Sequence, residues 1–271
     1  MKYALCNEMF EGCTMDEVCA VAKRFGYHGI EIAPFALATS ADEISVKERT
    51  ETRRTIEDHG LAVVGLHWLF AGPGGLHMTT PDNAVWEHTV DYMNTLVELC
   101  ADLGGDVLVL GSPKQRSLID GQTQEGAWGR TLDFFARVLD TAAAHNVTIC
   151  LEPLAPIETD FINTVADGMR MVKEVGHPNL KIHLDVKAMC AEPTSIGEVI
   201  RSVRTEEVGH FHVNDANLYG PGMGDTDYAP IAAAVREIGW DSWLSVEVFK
   251  YDPDPETIAR KSIAHLREHF G

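Results

Sequence analysis

The feature that most narrows the fold of this chain is an eightfold alternation of hydrophobic period. Short apolar, β-rich runs occur at Tyr3–Cys6, Gly29–Ile32, Ala62–His67, Val107–Leu110, Thr148–Glu152, Lys181–Asp185, Gly209–Val213 and Trp243–Val246. Between and after them lie amphipathic stretches at Met15–Phe25, Ser45–His59, Ala84–Leu103, Trp128–His145, Val165–Val175, Ile196–Arg204, Ile231–Ile238 and Pro255–His269. Ordered strand–helix repetition implies parallel strands, because each helix returns the chain to the end where the previous strand began. Gly26, Gly60, Gly104, Gly176 and Gly239 each follow a helical stretch, where a left-handed C-cap favours a residue without Cβ; Asn146 takes that place after His145. Eight units predict an α/β chain closed into a (β/α)8 barrel, and 271 residues suit one such domain over residues 1–271. An open doubly wound sheet would bring a glycine-rich phosphate loop after its first strand, but the chain there reads Cys6-Asn7-Glu8-Met9-Phe10.

In a barrel of this kind the chemistry sits at the C-terminal ends of the strands. Four successive strands finish on a metal-ligating side chain: Glu152, Asp185, His212 and Glu247. Strand side chains alternate, so each shares a face with the residue two before it, while Leu151, Leu184, Phe211 and Val246 between them suit the face packed against helices. Taken singly, each of the four is an ordinary loop or core residue. Together they crowd an apolar interior with charge, which is costly unless a cation compensates it. The set is hard and oxygen-rich and suits one divalent metal, with Mn²⁺ favoured and Mg²⁺, Co²⁺ or Zn²⁺ compatible. His183 and His210, one layer deeper, read as groups that orient the ligands. His67 ends the third strand and Trp68 follows it, giving a polar group and a flat wall of the kind sugar faces favour.

Composition excludes other classes. A formal charge of −19 argues against nucleic acid or an anionic membrane as partner. No run approaches the roughly 18 apolar residues of a membrane span, and the N-terminal apolar run is short for a signal peptide. The six cysteines show no CxxC spacing and read as free thiols in a reducing compartment, so a cytoplasmic location is expected.

The strings LEPL, HLDVKAM, HFHVND and SVEVF carry a resemblance. With them the chain resembles the xylose-isomerase-like TIM-barrel superfamily of sugar isomerases and epimerases, and is similar to the ketose 3-epimerases. The resemblance implies Glu152, Asp185, His212 and Glu247 as ligands of one divalent metal. It implies Glu152 and Glu247 as the acid/base pair that works through a metal-stabilised enediolate of a keto-sugar or polyol. Glu158 matches a substrate-binding glutamate, and oligomers are common in similar enzymes, so a homo-oligomer is compatible with it. A metal-dependent lyase or dehydratase on keto-sugars or inosose-like polyols would use the same enolate; a metal-dependent endonuclease shares the barrel but fits the acidic surface poorly.

Two departures stand out. Where ketose 3-epimerases carry a histidine three residues after the sixth-strand aspartate and an arginine six after the seventh-strand histidine, this chain has Ala188 and Leu218. Lys187 is expected to supply a positive group to the substrate, pointing inward if the strand continues past Asp185. The segments Asn214-Asp215 and Gly220–Asp225 read as a substrate cover, and Glu8 and Phe10 after the first strand as a cap on the pocket. Scarcity of basic residues beyond Lys114, Arg116 and Lys187 favours an uncharged substrate over a sugar phosphate.

Overall fold

The computed structural model describes residues 1–271. Eight parallel strands, β1 (Lys2–Cys6), β2 (Gly29–Ile32), β3 (Ala62–Leu66), β4 (Val107–Leu110), β5 (Thr148–Leu151), β6 (Leu180–Asp185), β7 (Val208–Val213) and β8 (Trp243–Val246), close in sequence order, with β8 paired back to β1. Around them run α1 (Met15–Phe25), α2 (Val46–Asp58), α3 (Asn83–Leu103), α4 (Gln124–Ala144), α5 (Val165–Val175), α6 (Val186–Met189), α7 (Ile196–Arg201), α8 (Tyr228–Glu237) and α9 (Pro255–Phe270). All five expected C-cap glycines, and Asn146, have positive φ. No helix is long and apolar enough to cross a membrane.

The apolar core lies outside the barrel. Outward strand residues such as Leu5, Ile30, Leu66, Leu110, Ile149, Leu184 and Phe211 join helix residues such as Ile56, Leu96 and Phe134 in one cluster of 68 buried residues. Inside the barrel a separate apolar cluster numbers only three, Val107, Val109 and Cys150, so the interior is given over to other side chains. The ring is tight at its waist: a Cβ on Gly65 would lie 2.0 Å from the Val107 carbonyl oxygen, leaving room for glycine alone. Two irregularities in strand register fall at polar inward positions, Ile30/Glu31 between β2 and β3 and Ile182/His183 between β6 and β7. Such bulges bend a strand and re-aim a side chain.

Several sequence expectations shift. α4 begins at Gln124 rather than Trp128 because Thr123 caps it, and α8 begins at Tyr228 rather than Ile231 because Asp227 caps it. In both cases a polar cap fixes the start ahead of the apolar period. β6 does not run on to Lys187. The Asp185 side chain accepts from Ala188 N and starts α6, a single turn too short to show a period. Of the six free thiols, Cys13 and Cys190 are exposed and the other four are buried.

Candidate active site

Each of the four expected ligands arrives at a strand end. Pro153 has no amide hydrogen to continue a ladder, and Glu152 sits just beyond β5 with its own N–H donating to the Leu110 carbonyl. Asp185 and His212 are inward residues of β6 and β7, paired in register, and Glu247 follows β8. Ligand atoms of Glu152, His183, Asp185 and His212 all lie within 4.8 Å of one another, and all four residues are buried. Glu247 joins through His212, whose Nδ1 is 3.1 Å from Glu247 Oε2.

Beside this cluster runs a chain of buried histidines and glutamates. His212 Nε2 is 2.9 Å from Glu31 Oε1, and His210 Nε2 is 2.7 Å from Glu31 Oε2. His67 Nε2 is 2.9 Å from Glu8 Oε2. Asp185 accepts at one oxygen from Ala188 N and at the other from Asn214 Nδ2, 2.6 Å away.

These packings move proton affinities apart. Burial, with Asp185 and Glu247 close by, holds the Glu152 carboxyl well above the usual carboxylate range. Asp185 is raised by burial and by Glu247, against the pull of Lys187. Burial alone would raise Glu247, but His212, with His67 and Lys187, outweighs it and holds that carboxyl low. His212 is disfavoured as a cation by burial, yet Glu31 and Glu247 raise it well above an ordinary imidazole. His183 is pushed well down by burial and by His212 and His210, and neither of its ring nitrogens has a partner. Three carboxylates short of positive charge, beside an orphaned neutral imidazole, are what a divalent cation fits; this buried histidine, aspartate and glutamate cluster is able to hold one.

Above the cluster opens a cavity of about 350 Å³. It is lined by Glu152, Glu247, Glu158, His67, Trp68 and Lys187 together, along with Phe249 and the Gly111–Gln115 segment. Lys187 Nζ is 2.7 Å from Glu158 Oε1 and 4.2 Å from the Phe249 ring centroid. Burial would lower its pKa, but Asp185 and Glu158 outweigh that and keep it charged. Glu158 Oε2 has no partner. Trp68 is 38% exposed, stands against Phe35 and Phe249, and holds φ at 53°, a region bulky residues avoid.

Other expectations meet a different arrangement. Lys187 reaches the cavity from the first turn of α6, and not as an inward strand residue. Glu8 is buried and bonded to His67, and neither it nor the buried Phe10 lines the cavity. Residues Gly220–Asp225 do not line the cavity: Gly222 packs on His265 of α9, whose ring fills the space a Cβ would need. Leu218, at positive φ, accepts at its carbonyl from Phe249 N and Lys250 N, and so ties the turn after β7 to the cavity wall. Arg116 is fully buried and donates to the carbonyls of Glu152 (2.6 Å) and Ile162 (3.3 Å), which removes it from any anion cradle.

Glu31 is the residue that sequence reading missed. Its signal was present: a glutamate between Ile30 and Ile32 in a strand has no solvent-facing explanation once both strand faces are covered. Arg116 was seen only as a charge, since its targets are backbone carbonyls that leave no trace in sequence.

Residues 19–269 match the family described as xylose isomerase-like TIM barrel. The L-ribulose 3-epimerase of Mesorhizobium japonicum is 30% identical over 216 residues, 77% of this chain and 69% of that protein. The D-psicose 3-epimerase of Ruminiclostridium cellulolyticum is 35% identical over 126 residues, 46% of this chain and 43% of that one, so the match spans less than half of either. Among solved structures, D-psicose 3-epimerase with D-tagatose from Clostridium cellulolyticum H10 aligns with a TM-score of 0.87 at 22% identity, covering 100% of this chain and 99% of that one, a likeness of fold. The chain belongs to the xylose isomerase-like TIM-barrel family and stands among its isomerases and epimerases.

Proposed function

We propose that this chain is a divalent-metal-dependent epimerase of an uncharged keto-sugar, with Glu152 and Glu247 as the acid/base pair. One observation carries the reading. Glu152 and Glu247 come from strands separated by two others, yet both line one cavity above the buried Asp185 and His212. Two carboxylates reaching one small cavity from different strands can address different faces of a bound carbon. One takes the proton beside the carbonyl to give an enediolate; the other returns it on the opposite face. Glu152, Asp185, His212 and Glu247 would hold the cation, Mn²⁺ by preference. When bound, it polarises the carbonyl and makes the neighbouring C–H more acidic. The opposed environments of the two glutamates, one raised and one lowered, suit a pair that must differ in protonation at each half-reaction.

Around the pair, the unpartnered oxygen of Glu158 and the Lys187 ammonium serve hydroxyl groups, His67 adds a polar contact, and Trp68 and Phe249 offer flat walls to the sugar ring or chain. An uncharged substrate fits because Lys187 is committed to Glu158 and Arg116 to backbone, leaving Lys114 as the single unpaired base on the cavity wall. The test is a panel of keto-hexoses and keto-pentoses with Mn²⁺ in D₂O, read by NMR. Deuterium entering at the carbon beside the carbonyl, together with the epimer, is the expected result. Loss of a leaving group instead of exchange would replace epimerisation by elimination, and a preference of about a hundredfold for a phosphate ester would overturn the uncharged substrate.

A further inference from the structure

Glu31 is a fully buried carboxylate with no part in the acid/base chemistry above. Burying a charge this deeply is costly unless every lone pair is used, and here both oxygens are taken by imidazoles of β7. Oε1 lies 2.9 Å from His212 Nε2, and Oε2 lies 2.7 Å from His210 Nε2, which Ser245 Oγ also approaches at 3.0 Å. A third imidazole, His67, brings Nδ1 to 3.8 Å of Oε1. The strand irregularity at Ile30/Glu31 sits at this residue.

An ionised carboxylate only accepts hydrogen bonds. A buried contact of 2.9 Å between its oxygen and an imidazole nitrogen therefore requires a proton on that nitrogen, since two lone pairs at that distance repel. His212 Nδ1 lies 3.1 Å from Glu247 Oε2, so in the metal-free chain it shares a proton with that carboxylate as well. A cation that displaces this proton leaves a neutral imidazole whose one N–H is held at Nε2 and whose lone pair is at Nδ1. His212 Nδ1 is the nitrogen beside Glu247, on the side of Glu152 and Asp185. We propose that Glu31 is the positioning residue that sets the tautomer of His212, holding Nε2 protonated so that Nδ1 is the atom presented to the divalent cation. Metal-bound histidines elsewhere use their second nitrogen in the same manner. The inference rests on the metal reading of the site given above. It goes further by assigning a role to a residue from β2, a strand that contributes none of the four ligands.

A merely structural Glu31 would neutralise buried histidines without regard to which nitrogen faces the cluster. The first test uses the unaltered chain, labelled with ¹⁵N histidine and loaded with diamagnetic Mg²⁺. The His212 resonances, assigned by their loss in His212→Gln, should show a protonated Nε2 and an unprotonated Nδ1; the reverse assignment overturns the proposal. The second test is calorimetry of Mn²⁺ binding to Glu31→Gln, with the melting temperature recorded alongside. Glutamine keeps the shape but has one accepting oxygen and one donating nitrogen, so it cannot take protons from both His210 and His212. Affinity should fall about 10- to 100-fold. Unchanged affinity in a folded Glu31→Gln overturns the role of Glu31 and leaves the metal site standing. If the unaltered chain takes up neither Mn²⁺ nor Mg²⁺, the metal reading itself fails, and this inference with it. Should Glu31→Gln not fold, the tautomer measured in the unaltered chain decides.

Discussion

The space between strands and helices and the space inside the barrel are walled by the same eight strands, yet they are built on opposite terms. Outside, 68 buried apolar residues form one cluster. Inside, three small apolar residues share the space with Glu8, Glu31, His67, Glu152, His183, Asp185, His210, His212 and Glu247, all buried. The outer layer earns stability by removing apolar surface from water. The inner one costs stability, because its carboxylates outnumber the cations that could pair with them. Alternation along a strand lets one residue serve one layer and the next serve the other, so stability and chemistry are separable at single-residue resolution.

The sharpest attempt to break that separation is to neutralise the acid/base pair. Glu152→Gln and Glu247→Gln should each lower solvent deuterium exchange into the substrate by about 10²–10⁴-fold, the usual scale for losing a general base. The metal-free Glu152→Gln should melt no lower than the unaltered chain. Its folded carboxyl is held above the ordinary value by burial and by Asp185 and Glu247, so its ionised form opposes folding as pH rises past that ordinary value. Exchange at near-normal rates in either variant would remove the pair from the reaction.

The opposite experiment is Phe134→Ala in the outer layer. Phe134 is fully buried in α4, and truncating such a ring typically costs about 3–5 kcal/mol. The folded fraction should still bind Mn²⁺ and exchange substrate protons as before, since no atom of Phe134 reaches the cavity. A fall in turnover per folded molecule would mean that the two layers are not independent.

The two layers also differed in how far the sequence disclosed them. Eight strands and the caps at Gly26, Gly60, Gly104, Gly176 and Gly239 were legible because period and C-cap chemistry are local. The gathering of Glu152, Glu247, Glu158, His67 and Trp68 around one cavity followed from strand parity and from resemblance, whereas Lys187 joins them from α6 and not by the parity expected of it. Glu31 was not, since its partners lie on β7, 179 and 181 residues away. Neither was the single turn α6, set by one side-chain contact of Asp185, nor the burial of Arg116 against carbonyls. Long-range polar pairing leaves no periodicity behind it.

A gentler probe is the pH dependence of Mn²⁺ affinity. In the metal-free chain, burial and neighbouring carboxylates raise Glu152, and Glu31 with Glu247 raise His212 against burial. Both therefore carry protons that a cation must displace, whereas Glu247, held low, adds none. Affinity should fall as pH falls from 8 to 6, by about tenfold per unit for each proton released. The stabilisation that Mn²⁺ confers on melting should shrink in step. A flat profile would show that His212 and Glu152 are not displaced from their protons and so are not ligands.

The smallest effect comes from two helix caps that look alike. Thr164 caps α5 by accepting from Asp167 N at 3.1 Å, and Asp185 caps α6 by accepting from Ala188 N at 2.7 Å. Thr164 serves only the outer layer, and Thr164→Ala should cost about 1 kcal/mol, a melting shift of roughly 2–4 °C, with proton exchange and metal affinity unchanged. Asparagine caps as well as aspartate, so Asp185→Asn keeps the bond to Ala188. Its amide nitrogen then faces Asn214 Nδ2 and that buried bond is lost, so the metal-free chain should melt at or slightly below the unaltered one. The lost bond is offset in part because Asp185 is raised by burial and by Glu247, which makes its charge unfavourable before a cation arrives. Calorimetry should nonetheless find Mn²⁺ bound more weakly, because the lost charge belonged to the inner layer. Equal Mn²⁺ affinity in Asp185→Asn would reduce Asp185 to a cap and take it out of the ligand set. An altered exchange rate in Thr164→Ala would show instead that the loop from Glu152 to Thr164 transmits strain from the outer layer to the site.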